Sequence, residues 1–202
     1  MGKQTPPKPI ALFDMDGTGA NFNGAMERDL RKMMGPGEPE LLAHEDEEKY
    51  PHIKFRRTLI KSQPEWWFNL EPIPRGFRVL EMLRELGFRI TVLTRGPKLT
   101  PNAWTEKMRW CQKYINDAKV TVTTDEKARV YGRVLVDDWV PYIEPWLKRR
   151  PRGLVVLPDQ PWNQGFSHPQ VVRHTENDEE VRKLLIEQRD RPLLPRDDDD
   201  EG

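Results

Sequence analysis

The stretch Ile10-Ala11-Leu12-Phe13-Asp14-Met15-Asp16-Gly17-Thr18 decides how the rest of the 202-residue chain is read. Its four leading apolar residues show no polar alternation. That suits a strand covered on both faces, as in parallel sheets. Two carboxylates, Asp14 and Asp16, follow at its carboxyl end, where open α/β sheets place their ligands. Gly17 permits a turn that a residue with a Cβ resists. Two acids this close repel each other unless a cation or a shared proton intervenes. The hard carboxylate oxygens then predict a divalent metal, Mg2+ before others.

Outward from this stretch, residues 1–9 hold three prolines and no core residues, and read as a disordered leader. Gly24 to Met34 has helical spacing and is stopped by Gly35-Pro36-Gly37. An acidic segment, Glu38 to Tyr50, is anchored by Leu41 and Leu42. A second helical piece runs from about Ile53 to Ser62. No strand of the main sheet is evident between Gly24 and Leu70, so residues 24–69 form a helical cap inserted after the first strand. Beyond Pro72 strand and helix alternate. A helix carrying Phe77, Leu80, Leu83 and Leu86 is closed by Gly87. Then come a strand at Arg89–Thr94, a helix at Pro101–Ile115, and strands at Lys119–Thr123 and Arg133–Val136. A helix at Pro141–Lys148 follows, then a strand at Gly153–Leu157, a short one at Val171-Val172, and a helix at Glu176–Gln188. The alternation predicts an α/β fold, a doubly wound Rossmann-like parallel sheet, with a core domain of residues 10–23 and 70–190. Residues 191–202 are a solvated acidic tail.

Basic and acidic side chains balance at 33 each. The Asp197–Glu201 run supplies five of the acids, so the body carries a formal +5, 33 basic against 28 acidic. That suits a small anionic substrate and falls short of a nucleic-acid footprint. No stable nucleic-acid complex and no membrane association are expected, since no apolar run approaches spanning length. The single cysteine, Cys111, excludes an internal disulfide, and a reducing cytosol is the simplest compartment.

Other strand ends carry comparable chemistry. The second strand ends in Thr94, with Arg95-Gly96 behind it. Lys127 lies in the connection after the third. The fourth runs into Asp137-Asp138. Parallel strands bring these groups to one edge. Singly each has a plainer reading: a strand-end hydroxyl, a solvated lysine, an anion pair opening a helix.

Asp14-Met15-Asp16-Gly17-Thr18 resembles the D-x-D-G-T signature of the haloacid dehalogenase-like (HAD-like) phosphatases. Thr94, Lys127 and the acidic pair match the superfamily's later motifs in order. The resemblance implies that Asp14 is a nucleophile for phosphorus and Asp16 a general acid/base. Mg2+ is then held among Asp14, Asp16, Asp137 and Asp138. Phosphate is bound by the Thr94 hydroxyl, the amides of Arg95 and Gly96, and Lys127. One of Asp137 and Asp138 completes the metal shell, and the other holds Lys127 or a metal-bound water.

The likeness narrows over Leu70 to about Trp162. Leu70-Glu71-Pro72-Ile73-Pro74, Val92-Leu93-Thr94, Glu106-Lys107-x-x-Trp110, Asp125-Glu126-Lys127 and Leu135-Val136-Asp137-Asp138 are similar to the 5'(3')-deoxyribonucleotidase family. That family hydrolyses nucleoside monophosphates, which implies a nucleoside monophosphate substrate and a 5'-nucleotidase activity. The spacing from Lys127 to the acidic pair matches the family, which favours Lys127 over Lys98 as the phosphate cation. Phe22 matches the family's base-stacking aromatic, and Asp138 its metal-binding acid. Asn21 and Gly19 depart from the family's Asp and aliphatic residue, which loosens the entrance to the site. The cap matches poorly, and the cap selects the substrate.

Trp66-Trp67-Phe68 offers aromatic faces for a nucleobase; the alternative is hinge packing between cap and sheet. His44, His52, Arg56 and Arg57 are read as solvated, Trp104, Trp110, Trp139 and Trp146 as core or interface residues, and Trp162 as a rim residue. A homodimer is compatible with the sequence. Two rival functions keep the same core: a 3'-phosphatase of nucleic-acid end repair, against which the modest charge counts, and a non-catalytic nucleotide-binding scaffold, against which the intact acidic set counts.

Overall fold

The computed structural model describes residues 7–40, 49–124 and 126–192. Leu41, Leu42, His44, Asp125, the first six residues of the expected leader and the Asp197–Glu201 run lie outside the described residues. The elements in chain order are β1 (Ile10–Phe13), α1 (Phe22–Arg31), α2 (Pro51–Lys61), α3 (Pro74–Glu85), β2 (Arg89–Arg95), α4 (Asn102–Tyr114), β3 (Lys119–Thr123), β4 (Val134–Val136), α5 (Val140–Arg149), β5 (Leu154–Pro158), β6 (Val171–His174) and α6 (Asp178–Asp190). Short 3-10 turns occupy Lys127–Arg129 and Pro161–Asn163.

The strands form one sheet in the order β3-β2-β1-β4-β5-β6, and every pairing is parallel. β1 lies between β2 and β4, with Phe13 opposite Val92 on one side and Val136 on the other. The chain builds outward from β1 to β3, then crosses back to β4. That reversal puts the crevice of a doubly wound sheet at the end of β1.

Successive strand residues point to opposite faces. Ala11, Phe13, Val92 and Val136 pack with Val79 and Leu83 of α3, Trp110 of α4, and Val181 and Leu185 of α6. Leu12, Leu93, Leu135 and Val155 pack with Ile143, Trp146 and Leu147 of α5. Both faces are covered, which is why β1, β4 and β5 are apolar without alternation. α1 and α2 share a smaller cluster of Met26, Leu30, Ile53 and Ile60. Prolines open α2 and α3, where a missing N–H costs nothing.

α1 begins two residues earlier than its spacing suggests. The Asn21 side chain accepts from the Gly24 amide at 3.0 Å and caps the helix. At the strand ends, β2 runs on to Arg95, opposite Thr123. β6 runs on to a buried His174, whose Nε2 lies 2.6 Å from Asp178 Oδ1 at the start of α6.

The loop after β1 is held by backbone bonds. The Gly17 amide donates to Ala20 O at 2.9 Å, Gly19 to Met15 O at 2.8 Å, and Ile73 to Gly19 O at 2.8 Å. Gly17 has φ 77°, and a Cβ there would run into the Asp138 carboxylate. The first turn of α3 presses on the same loop, and a Cβ on Gly76 would overlap Thr18 O. Gly76→Ala should therefore cost about 2–4 kcal/mol, because backbone rather than a side chain must yield. In thermal melts we expect a Tm fall of roughly 5–10 °C. Gly165→Ala, with open space around it, should stay within about 0.5 kcal/mol of the parent.

Candidate active site

Asp14 leaves β1 directly, and its amide donates to Val136 O at 2.9 Å. Asp137 and Asp138 leave β4 alongside it. The three acids are buried, and each can present a carboxylate oxygen within 4.8 Å of the others. Lys127, at the start of its 3-10 turn, inserts between two of them. Its Nζ lies 2.6 Å from Asp14 Oδ1 and 2.8 Å from Asp137 Oδ2.

The second Asp137 oxygen accepts from the Trp139 amide at 2.9 Å, so both its oxygens are engaged. Asp138 is held more lightly. Its Oδ1 accepts from the Thr18 hydroxyl at 3.3 Å and its Oδ2 from Trp162 Nε1 at 3.1 Å. Asn163 Nδ2 donates to the Asp138 carbonyl at 3.0 Å.

Burial raises the Asp14 pKa to about 7; Lys127 opposes that shift, while Asp137 and Asp16 add to it. Burial, then Asp137 and Asp14, likewise push Asp138 well above the usual carboxylate range. Burial works against the charge on Lys127, but Asp137 and Asp14 outweigh it and hold the ammonium more firmly than usual. The cluster therefore carries more negative charge than its one lysine balances.

A second cation sits on the other side of the crevice. Lys107 of α4 is fully buried. Its Nζ pairs with Asp16 Oδ2, donates to Thr94 Oγ1 at 3.0 Å and to Arg95 O at 2.7 Å, and lies 4.5 Å from the centroid of the Trp67 ring. Asp16 Oδ1 is buried with no hydrogen-bond partner. Asp16 thus pairs with Lys107 and is not one of the three acids whose oxygens lie within 4.8 Å of one another. Thr94, fully buried at the end of β2, faces the same lysine.

Arg95 and Gly96 point elsewhere. The Arg95 guanidinium donates to the Tyr142 hydroxyl at 2.8 Å, and the Gly96 amide donates to Thr123 O at 2.9 Å. Lys98 lines a pocket with Arg95, Lys127 and Tyr142.

The aromatic residues pack on one another. Phe22 stacks on Trp67 with centroids 5.2 Å apart, and Trp66 meets both edge-on at 5.4 and 5.0 Å. Trp66 Nε1 donates to Asp29 and Trp67 Nε1 to Lys61 O. Through the Trp67 ring this cluster reaches Lys107 and so Asp16. Gly19 gives no slack at the entrance, since a Cβ there would lie 2.9 Å from Phe13 Cε1.

The family described as 5' nucleotidase, deoxy (pyrimidine), cytosolic type C protein (NT5C) matches residues 8–190. The chain belongs to that family. It is a phosphatase of the HAD type. Among solved structures, the fold of this NT5C-family protein is similar to a HAD family hydrolase from Deinococcus radiodurans R1 with bound phosphate and sodium. The two are 13% identical with a TM-score of 0.56, over 91% of this chain and 97% of that chain. A dehalogenase is 12% identical with a TM-score of 0.52, over 91% and 99% of the respective chains. A HAD-superfamily hydrolase, subfamily IA, variant 1, from Geobacter sulfurreducens PCA is 15% identical with a TM-score of 0.50, over 88% and 96%. At such identities the likeness is one of fold. Among curated protein sequences, none matches this chain.

Sequence reasoning gave Lys107 no role, although Glu106-Lys107-x-x-Trp110 carried part of the resemblance. A lysine in the middle of a helix reads as solvated. The available signal is the helical spacing of Ala103, Lys107, Trp110 and Cys111, which puts Lys107 on the buried face of α4. Next to it, Glu106 accepts the Glu65 and Trp67 amides at 3.0 and 3.1 Å and ties α4 to the aromatic segment.

The two lysines should respond differently to Lys→Met. Lys127→Met strands two buried carboxylates and should cost about 3–5 kcal/mol in urea unfolding at pH 8. Lys107→Met strands one partly exposed carboxylate, Asp16, with the neutral acceptors Thr94 Oγ1 and Arg95 O, and should cost less. It should still lower turnover of p-nitrophenyl phosphate by about 100-fold or more, as for loss of one oriented donor.

Proposed function

We propose that the protein is a Mg2+-dependent phosphomonoesterase acting on nucleoside 5'-monophosphates through an aspartyl-phosphate on Asp14. The observation that carries this reading is the buried Asp14–Lys127–Asp137 ion-pair chain, with Asp138 beside it, at the carboxyl edge of a parallel sheet.

The acidic set fits a hard cation. Three buried carboxylates share one lysine; Asp137 is ion-paired to it and bonded to the Trp139 amide, whereas Asp138 accepts from the neutral Thr18 and Trp162 donors. Asp14 and Asp138 are therefore the side chains we assign to the metal, and Asp137 is the acid that holds Lys127. When bound, Mg2+ supplies positive charge that offsets the repulsion between Asp14 and the phosphate.

Lys127 holds Asp14 Oδ1, which orients the other oxygen toward phosphorus. Asp14 attacks in line, the P–O ester bond breaks, and the leaving alkoxide takes a proton from Asp16. We assign that proton to Asp16 Oδ1, the oxygen that has no other hydrogen-bond partner. Asp16 then removes a proton from a water that attacks the phosphorus, the Asp14–phosphoryl bond breaks, and phosphate leaves. Thr94, Lys107 and Lys127 bind the phosphate oxygens, and their fixed donors supply most of the charge stabilisation. Phe22, Trp66 and Trp67, linked to Asp16 through Lys107 against the Trp67 ring, are assigned to the nucleoside. A cytoplasmic location follows the family's description as cytosolic type. Among the described residues, no helix is long and apolar enough to cross a membrane.

The test is phosphate release with Mg2+ from deoxy- and ribonucleoside 5'-monophosphates, sugar phosphates and a 3'-phosphorylated oligonucleotide. Release from the nucleoside monophosphates, reduced by several orders of magnitude in Asp14→Asn and stopped by EDTA, is expected. Release from the oligonucleotide alone, or from nothing, overturns the proposal.

The metal also predicts a pH effect. Asp14 binds its proton more tightly folded than unfolded, with a pKa near 7 against 3.8. The stability it contributes is full below about pH 4 and is lost as pH rises through 7. Without metal, the parent should lose Tm relative to Asp14→Asn between pH 5 and 8. Mg2+ should restore Tm at pH 8 and have little effect at pH 5, as scanning calorimetry would show.

A further inference from the structure

The amino ends of β4 and β5 lie at the opposite edge of the sheet from Asp14. There Tyr131, Arg133, Arg150, Arg152, Arg191 and Pro192 line a pocket of about 250 Å3. Among the described residues, no acidic side chain lines it.

Part of this arginine cluster has a structural explanation. α5 and α6 both end at the pocket, and cations suit helix carboxyl ends. Arg133 Nη1 donates to the carbonyls of Gln188, Arg189 and Arg191 at 3.0, 3.1 and 2.7 Å and closes α6. Arg152 Nη2 donates to Pro192 O at 3.2 Å, and Arg150 Nη1 to Arg149 O at 2.8 Å.

Three groups remain. Arg191 Nε and Nη1 and Arg150 Nε are buried with no hydrogen-bond partner. Burial, then Arg152 and Arg133, hold the Arg191 pKa below its ordinary value. Buried charged donors without an acceptor are costly, so the arrangement calls for an anion. The guanidinium fork matches phosphate oxygens in pairs. Tyr131 stands beside it, 52% exposed, with Arg150 5.4 Å from its ring centroid.

We propose that this pocket is a second anion site, separate from the catalytic edge, that takes a nucleoside di- or triphosphate. Arg150, Arg152 and Arg191 bind its phosphates and Tyr131 flanks its base. The chain's own Asp197–Glu201 run offers the same anionic chemistry and begins five residues after Pro192.

Calorimetric titration of ADP separates these sources. In the full-length protein, ADP should bind, and both Arg152→Gln/Arg191→Gln and the exposed single change Arg152→Glu should weaken it 10-fold or more. kcat for phosphomonoester hydrolysis should be unchanged in Arg152→Glu, whose fold a thermal melt checks. A full-length chain with Asp197, Asp198, Asp199 and Asp200 all changed to Asn covers the second source. Tighter, arginine-dependent ADP binding in that chain supports the site and shows the acidic run competing for it. Equal ADP affinity with and without Arg152, or no binding to either full-length chain at millimolar ADP, overturns the proposal.

Discussion

Lys127 is one positive charge placed between two buried carboxylates, Asp14 and Asp137, with a third acid beside them. Burying any one of these groups alone would be prohibitively costly. Each is tolerable because the others are there. The arrangement is still short of positive charge, and that shortage is what raises Asp14 and Asp138. A metal-dependent phosphatase needs a nucleophile that is buried yet becomes ionised when a cation and a phosphate arrive. An acidic cluster of three carboxylates around one lysine has that property.

The sheet exists, in this sense, to hold that cluster. Asp14 comes from β1 and Asp137-Asp138 from the neighbouring β4, in register through Phe13 and Val136. Thr94 comes from β2 on the other side. Lys127 and Lys107 reach in from a short turn and from α4. The pieces lie far apart along the chain, and only the parallel crossing at β1 brings their ends together. The glycines at 17 and 76 let the Asp138 carboxylate and the first turn of α3 close on the loop without side chains in the way.

Much of this was legible in the sequence because strand ends announce themselves. An unbroken apolar run followed by acids, or by Thr-Arg-Gly, fixes both a strand and its exit. Hence β1, β2, β3 and β4 were recognisable with Asp14, Thr94 and Asp137-Asp138 at their tips. What pairs with what was not legible. That Asp137 rather than Asp138 pairs with Lys127 depends on a backbone amide, Trp139, and a short turn, neither of which has a sequence signal. Lys107 was hidden because a charged residue on a helix reads as solvated until the helix is docked. Gly96 sat in the right place along the chain, but its amide is bonded to Thr123 O, a pairing with no sequence signal. The helical character of the segment after β1 could be read, while the mutual packing of Phe22, Trp66 and Trp67 is a tertiary fact.

The most direct test of the central claim, that Asp14 takes the phosphoryl group within this cluster, is acid quenching of the protein during turnover of a nucleoside 5'-monophosphate with Mg2+, followed by peptide mass mapping. The account predicts a phosphoryl adduct on Asp14, absent when metal is omitted. Phosphate release with the adduct on another residue, or turnover that persists in Asp14→Asn, would contradict it.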